Sequence, residues 1–202
     1  MAGKIDIKKQ HKQLFVSKRE PHIVRVPSLL YLMIDGEGSP QGTAFQDAIG
    51  ALYSTAYRTK FRLKAAGRVD FVVPPLEALW WADDPSAFDE NRKDDWRWRL
   101  MLALPDHVTE HDVGQALDEL DKKRKSTAAH RSMRTELMEE GRAAQCLHVG
   151  PYDSMGESIA AMQAFAEANG LKLAGRHHEV YLSDPRRTAP EKLKTVLRRP
   201  VR

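Results

Sequence analysis

Cysteine is almost absent from this chain, and its single cysteine, Cys146, excludes an internal disulfide. Such sparing use of cysteine fits a reducing compartment and predicts a cytoplasmic protein. Apolar runs of membrane-spanning length are absent as well, so no membrane partner is predicted. The Lys-rich N-terminus is not followed by an apolar stretch, and a cleaved signal peptide is therefore not expected.

Several catalytic and cofactor motifs are also missing. The sequence has no G-x-S-x-G elbow, no phosphate-binding loop, no dinucleotide fingerprint and no H-E-x-x-H zinc motif. His107 and His111 have zinc-ligand spacing, but no third ligand lies nearby, so no metal and no cofactor are predicted. Cys146 and His148 share one face of a strand. A thiol–imidazole pair and a buried small side chain beside a histidine are both open there.

Positive charge is in modest excess, with a formal net charge of +4 and a pI near 9.2. Much of the surplus lies in the C-terminal tail and in residues 122–125, which end a predicted helix where cations complement the dipole. No zinc-finger or RNA-binding signature accompanies this charge. We therefore predict a solvated basic surface and no direct nucleic-acid partner.

The most informative stretch is residues 176–185, R-H-H-E-V-Y-L-S-D-P, which predicts a strand that ends in a turn. Alternation places Val180 on a face that we expect to meet helices. The opposite face carries His177, Glu179 and Tyr181. A carboxylate on the inner face of a sheet is costly unless it is paired or used, so Glu179 is a candidate functional residue. A solvated glutamate on an edge strand is the alternative.

A segment similar to this stretch occurs earlier in the chain. Residues 79–85, L-W-W-A-D-D-P, resemble residues 179–185, E-V-Y-L-S-D-P, and a strand and a helical pattern precede each segment. The chain therefore looks like two copies of one strand–helix–strand unit. If pseudo-twofold symmetry relates the copies, Trp81 and Tyr181 occupy equivalent faces. The position equivalent to Glu179 in the first copy is then not acidic. Chance similarity between short segments is the alternative.

Apolar spacing predicts the remaining elements: strands over 28–36, 68–73, 78–81, 96–104 and 142–152, and helices over 43–66, 111–125 and 154–168. Thr43 is a candidate N-cap. Tyr53 and Tyr57 lie on the flank of the first helix, either as the edge of the core or as part of an aromatic lining. Residues 126–138 are predicted to form a connector that is helical in part. Residues 186–202 are predicted to form a basic tail with an incipient helix from Glu191 to Leu197.

The predicted fold class is α+β. The domain boundaries that follow are an N-terminal arm at 1–27, a first βαββ repeat at 28–105, a helical connector at 106–140, and a second repeat with the tail at 141–202. The chain also has four Trp and five Tyr. Aromatic faces beside an acid suit flat or cationic amphipathic molecules, because such molecules stack on rings and make cation–π contacts. We therefore predict an aromatic or cationic amphipathic small-molecule ligand.

Two sets of segments carry a family resemblance. V-G-P-Y-D, a helix, N-G and then E-V-Y-L-S-D-P-R-R-T-A-P-E-K-L-K-T together resemble the GyrI-like small-molecule-binding proteins. V-P-S-L-L-Y-L-M-I-D-G-E-G-S-P, L-W-W and W-R-W-R-L-M-L-A-L-P are similar to the stand-alone branch of that family. The resemblance covers about residues 8–201. It implies a duplicated βαββ fold of the SHS2 type, an antiparallel sheet with a central ligand groove, and helices on the outer face.

The resemblance also implies a function. Some stand-alone members are cyclopropanoid cyclopropyl hydrolases, which open the strained ring of DNA-alkylating natural products and so protect DNA. In this sequence it implies that Glu179 activates a water while Tyr152 or Tyr181 assists the developing oxyanion. The ligand contacts implied are Trp81, Trp98, Tyr53, Tyr57, Met101, His148 and Tyr181. A module that only senses or sequesters lipophilic cations, and a protein-binding role, are the alternatives, and both a monomer and a homodimer are open.

Overall fold

The computed structural model describes residues 3–84, 86–89 and 91–202. The α-helices in this part of the chain are α1 (Ile7–Gln10), α2 (Lys12–Phe15), α3 (Thr43–Ala65), α4 (Ser86–Asp89), α5 (Glu110–Lys122), α6 (Ala128–Arg131) and α7 (Gly156–Ala168). Within the same ranges, no helix is both long and apolar enough to cross a bilayer. Helix α3 begins at Thr43 with Gly42 at the N-cap position, so the predicted cap lies one residue inside the helix.

The strands are β1 (His22–Val26), β2 (Leu29–Glu37), β3 (Glu77–Trp81), β4 (Arg97–Leu104), β5 (Arg134–Met138), β6 (Gly141–Val149), β7 (His177–Tyr181) and β8 (Lys194–Pro200). The strand ladders formed by β1, β2 and β4–β8 are antiparallel. Together with the helices, they confirm the predicted α+β class. The duplicated βαββ arrangement with its central groove, and the domain boundaries, stay predictions.

The chain divides into two compact units. The first unit consists of Met1–Gln10, Leu29–Pro74 and Trp80–Met138, and the second of His11–Ser28, Pro75–Leu79 and Glu139–Arg202. In chain order the first unit holds α1, β2, α3, the end of β3, α4, β4, α5, α6 and β5. The second holds α2, β1, the beginning of β3, β6, α7, β7 and β8. The Pro85 of the repeated segment lies outside the described residues.

In the first unit, β2 pairs with β4 on one side and with β5 on the other. Helix α3 covers one face of these strands, because Phe45 stacks on Trp80 at a ring-centroid distance of 5.5 Å and meets Trp98 edge-on at 5.2 Å. The apolar side chains whose spacing predicts this helix include Phe45, Ala48, Leu52 and Ala56, and all four are buried. The face of β4 that carries Trp98 therefore packs against α3.

Gly36 of β2 lies directly opposite Trp98 in the β2–β4 ladder, and the indole ring covers it. A Cβ atom added at Gly36 would overlap the Cη2 and Cζ2 atoms of Trp98. We therefore expect Gly36→Ala to lower the free energy of unfolding by about 1–3 kcal/mol, as overpacking in a filled core does. Urea unfolding followed by fluorescence measures this change.

Gly50 of α3 is the matched control, because an added Cβ meets nothing within 4 Å there. Gly50→Ala should raise stability by up to about 1 kcal/mol, since alanine is the better helix former. Equal stability of the two variants would contradict the packing described for Trp98.

In the second unit, β6 pairs with β1 and with β8, and β8 also pairs with β7. Cys146 and Leu197 form a register pair and pack with Met155 and Met162 of the α7 segment. Glu179 is also opposite Leu197, so its side chain lies on the face that carries α7. The face that carries Val180, which is expected to meet helices, does not carry α7, but Arg198 on that face donates to the Leu14 carbonyl of α2. Val180 is fully buried on the face opposite to α7.

Three further predictions need correction. The incipient helix expected at 191–197 is instead strand β8, which lies between β6 and β7 and is buried at its centre. The connector expected at 126–138 contains α6 but ends in strand β5. The strand expected at 68–73 is reduced to a single bridge from Phe71 to Ile5. In each case pairing with distant segments decided the structure, and local periodicity does not show it.

Candidate functional site

Glu179 lies in the middle of β7, and its side chain is 14% exposed. The Nε2 atom of His177 is 3.2 Å from Glu179 Oε1, because residues two apart on a strand share a face. The predicted grouping of His177, Glu179 and Tyr181 on one face is consistent with this contact. A largely buried carboxylate with a histidine beside it can accept a proton or hold a cation.

Tyr152 approaches the same region from the turn between β6 and α7. Its ring meets that of Tyr181 edge-on at a centroid distance of 5.8 Å, and it is 39% exposed. Burial raises the pKa of Tyr152 above its ordinary value, and the carboxylates of Glu179 and Asp184 raise it further. The phenol therefore keeps its proton near neutral pH and can donate a hydrogen bond.

Gly150 makes this turn possible. Its φ is +148°, and an added Cβ would be 3.2 Å from the Ser154 Oγ atom and 3.4 Å from His148 Nε2. Any side chain would push against these two residues. The glycine thus allows the chain to leave β6 and place Tyr152 beside Tyr181.

Thr195 of β8 was not anticipated from the sequence. It is the register partner of both His148 and Tyr181, and it therefore lies on the Glu179 face of the sheet. Thr195 is 1% exposed, and its Oγ1 atom has no hydrogen-bond partner among the described residues. A buried hydroxyl without a partner is costly, so it is suited to hold a water or a ligand atom.

His148 is 5% exposed, and its ring is held by Ser158, Pro151 and Ser154. The alternative of a thiol–imidazole pair with Cys146 is not supported by the geometry. The Cys146 thiol contacts the Ser158 carbonyl, and burial raises its pKa to about 11. The cysteine is therefore a protonated core residue.

The remaining predicted contacts lie in the first unit. Tyr53 and Tyr57 stack along α3 at 6.4 Å, and Tyr57 is 46% exposed. Trp81 is half-buried at the end of β3, whereas Trp98 and Met101 are packed in the core. Ligand contact by these five residues stays a prediction.

The predicted equivalence of Trp81 and Tyr181 is wrong by one residue. Trp80 is the residue that stacks on Phe45 and so faces α3. Tyr181 and His148 are both register partners of Thr195, so their side chains lie on one face of the sheet. His148 hydrogen-bonds to Ser158 of α7, and this face is therefore the one that meets α7. A shift of one residue along a strand moves a side chain to the other face.

A buried ionic cluster was also missed. His178 is fully buried, with its Nδ1 atom 2.8 Å from a Glu140 carboxylate oxygen and its Nε2 atom 3.0 Å from Glu77. Arg198 donates to Glu140 at 3.1 Å, to Gln145 at 2.9 Å and to the Leu14 carbonyl at 2.9 Å. His178 shares the face of Val180, so strand alternation alone indicated that this histidine would be buried.

The cluster perturbs two pKa values in opposite directions. Burial opposes the charged form of Glu140, but His178 and Arg198 outweigh it and lower the pKa of Glu140 to about 2. Burial likewise opposes the charged form of His178, but Glu140 and Glu77 raise its pKa to about 9. His178 is therefore an imidazolium at neutral pH, and its two ring nitrogens lie beside the carboxyl groups of Glu140 and Glu77.

No group of three or more His, Cys, Asp or Glu side chains in the described ranges is arranged to hold a metal ion. His107, one of the spaced histidine pair, has its Nε2 atom 3.0 Å from the Val69 carbonyl.

A profile of the GyrI-like small-molecule-binding domain matches residues 19–202. The chain belongs to the GyrI-like family. Among solved structures, a conserved protein of uncharacterised function from Listeria innocua is 40% identical with a TM-score of 0.93, and the match covers 98% of this chain and 100% of that one. A structure described as a hydrolase, from the same organism, is 39% identical with a TM-score of 0.88, again over 98% and 100% of the two chains.

A more distant solved structure shares the fold alone. The C-terminal domain of EcmrR is 13% identical with a TM-score of 0.58, over 91% of this chain and 97% of that one. A comparison with curated proteins finds no match. This GyrI-like chain is thus a small-molecule-binding domain whose second unit places Glu179, Tyr152, Tyr181 and Thr195 together on neighbouring segments.

Proposed function

We propose that this GyrI-like domain is a hydrolase that opens the cyclopropane ring of DNA-alkylating cyclopropanoid natural products. The observation that carries the proposal is Glu179, a largely buried carboxylate on the face that also presents two tyrosine rings and an unsatisfied hydroxyl. Two relatives from Listeria innocua whose structures are described as hydrolases, each 39% identical to this chain, support a hydrolytic reaction.

In the proposed reaction Glu179 takes a proton from a water molecule. The water oxygen bonds to the unsubstituted cyclopropane carbon, and the strained carbon–carbon bond breaks. Its electron pair moves into the conjugated dienone and leaves a phenolate oxygen, which is then protonated to a phenol. The product is the substrate plus one water. Because ring strain supplies much of the driving force, positioning and one general base give sufficient rate enhancement.

Two neighbours of Glu179 have roles in this scheme. Tyr152 keeps its proton because its pKa is raised, so it donates a hydrogen bond to the developing oxyanion. Thr195 Oγ1 holds the attacking water, since this hydroxyl is buried and has no other partner among the described residues. His177 stays beside Glu179 and orients its carboxylate.

A second candidate function uses the same residues without chemistry. A carboxylate beside the rings of Tyr152 and Tyr181 also suits a lipophilic aromatic cation, which would be held by charge and cation–π attraction. A binding module of this kind has no use for a hydroxyl that holds water. Thr195 therefore favours the hydrolase.

Thr195→Val tests this distinction, because valine keeps the shape and removes only the hydroxyl. We expect turnover of a cyclopropanoid to fall about fivefold, as the loss of one neutral hydrogen bond of about 1 kcal/mol implies. Stability should stay level or rise, since the hydroxyl has no protein partner to lose. Liquid chromatography of the ring-opened product measures the rate.

Thr55→Val is the control, because Thr55 also has a buried Oγ1 without a hydrogen-bond partner in the described ranges, but on α3. Its turnover should equal that of the wild type. Binding of rhodamine 6G, followed by fluorescence, should be equal in all three proteins. Unchanged turnover in Thr195→Val would remove this hydroxyl from the reaction.

A further inference from the structure

A serine on α7 shares a hydrogen bond with a histidine on β6, and the proposed ring opening uses neither side chain. Ser158 Oγ is 3.0 Å from His148 Nδ1. Both residues belong to the second unit. The direction of this bond decides what the pair can do, because a histidine activates a serine only when its ring nitrogen accepts the hydroxyl hydrogen.

The other ring nitrogen fixes that direction. His148 Nε2 is 3.1 Å from the Pro151 carbonyl oxygen, which can only accept a hydrogen bond. Nε2 therefore carries the hydrogen, and in the neutral ring Nδ1 is the bare acceptor. Ser158 must then donate its hydroxyl hydrogen to Nδ1. Ser154, 3.3 Å from Nε2, donates to the same Pro151 carbonyl and leaves this assignment unchanged.

In a second serine–histidine pair, in the first unit, the hydrogen bond runs in the opposite direction, from the histidine to the serine. The backbone N–H of Thr127 donates to His130 Nδ1 at 3.0 Å, so the hydrogen of the neutral ring is on Nε2. His130 Nε2 then donates to Ser54 Oγ at 2.9 Å, and Ser54 donates onward to the Ala51 carbonyl. His130 thus cannot act as a base toward Ser54. In the His148 pair, by contrast, the serine donates and the histidine accepts, which is the arrangement of a nucleophile and its base.

Ser158 also has access to a space that a reactant can enter. It lines a cavity of about 190 Å³ together with His148, Ser154, Glu157 and Arg19. Cavities that enclose drug-sized ligands measure about 300–1,000 Å³, so this one suits a short acyl group. Arg19 supplies a cation at the same cavity, where negative charge would develop on a carbonyl oxygen.

We propose that Ser158 is the nucleophile of a second site, with His148 as its general base and short-chain acyl esters as substrates. Ser158 Oγ bonds to the acyl carbon while its proton moves to His148 Nδ1. The bond to the alcohol oxygen then breaks, and the alcohol leaves with that proton. Water attacks the acyl-serine, Nδ1 takes its proton and returns it to Oγ, and the carboxylic acid is released.

The remaining groups have defined parts in this site. The Pro151 carbonyl accepts from Nε2 and keeps the imidazole in the required tautomer throughout the cycle, as a carboxylate does in a triad. Arg19 stabilises the tetrahedral oxyanion. None of these residues takes part in the reaction proposed for Glu179, so either proposal can fail without the other.

The test uses the intact protein and p-nitrophenyl butyrate. We expect hydrolysis that Ser158→Ala lowers by about a hundredfold, the size of a base-assisted nucleophile's contribution. Ser54→Ala, which removes the serine of the oppositely directed pair, should keep the wild-type rate. Quenched wild-type protein should carry a butyryl group on the peptide that contains Ser158.

A fluorophosphonate probe gives a readout that needs no variant, because it labels serines activated by a neighbouring base. Mass mapping of labelled wild-type protein should place the probe on Ser158. Glu179→Gln should be labelled equally, which separates this site from the proposed ring-opening site. Absence of label in the wild type, label on other residues only, or full hydrolysis by Ser158→Ala would overturn the proposal.

Discussion

Arg198→Met is expected to lower the free energy of unfolding by about 3–5 kcal/mol, the usual cost of removing one partner from a buried ion pair. Arg198 is 1% exposed and donates to Glu140, to Gln145 and to the Leu14 carbonyl. Methionine fills part of the volume but supplies none of these donors. Among the described residues, Glu140 would keep only His178 as a cationic partner, and the Leu14 carbonyl would lose its side-chain donor.

Arg199 offers a matched control on the same strand. Its guanidinium is more exposed and donates to the Gly175 carbonyl at 3.4 Å. Arg199→Met should change stability by less than about 0.5 kcal/mol, as most surface substitutions do. Chemical unfolding of both variants measures the difference. Similar losses of unfolding free energy in the two variants would mean that the buried ionic cluster does not stabilise the fold.

The same cluster makes stability depend on pH in a defined window. The folded-state pKa of His178 is raised from 6.5 to about 9, so its contribution is complete below pH 6.5 and is lost as the pH rises through 9. The pKa of Glu140 is lowered from 4.5 to about 2, so its contribution is complete above pH 4.5 and is lost as the pH falls through 2. Both contributions to the free energy of unfolding are complete between pH 4.5 and 6.5. Arg198→Met should change how the free energy of unfolding depends on pH.

Glu179→Gln is expected to reduce turnover of a cyclopropanoid by about 10²–10⁴-fold, since it removes the general base and keeps the size of the side chain. The affinity for the same ligand should stay within about a factor of ten, or about 1.4 kcal/mol, because stacking and shape are unchanged. His177 Nε2 lies 3.2 Å from Glu179 Oε1, and the amide of the variant keeps this neighbour.

Single-turnover kinetics with a cyclopropanoid separates these two effects, because binding and ring opening are then measured as distinct steps. Glu191→Gln is the control, since Glu191 is an exposed carboxylate in the turn before β8. It should match the wild type in both steps. Full turnover by Glu179→Gln would exclude Glu179 as the base, whereas a large loss of affinity with a normal rate would assign it to binding alone.

Part of this arrangement follows directly from the sequence. The strand at 177–181 and the grouping of His177, Glu179 and Tyr181 follow from alternation, because side-chain period along a strand is a local property. The apolar stripe of α3 is local in the same way. Glu179 stands out because a carboxylate is unusual at such a position.

The rest depends on pairing that local patterns do not contain. Glu77, Glu140, His178 and Arg198 come from four separate segments, and only the register between strands brings them together. The same is true of Thr195, whose segment is read as an incipient helix until β8 is seen to lie between β6 and β7. Trp80 and Trp81 show the limit most clearly, since a shift of one residue in the repeat alignment exchanged the two faces.

The most direct test of the central claim is mass spectrometry of a cyclopropanoid alkylator incubated with the wild-type protein in ¹⁸O-labelled water. The account predicts a product heavier than the substrate by one labelled water, with the label on the former cyclopropane carbon. Intact substrate bound to the protein, or a product that forms equally fast without the protein, would contradict it.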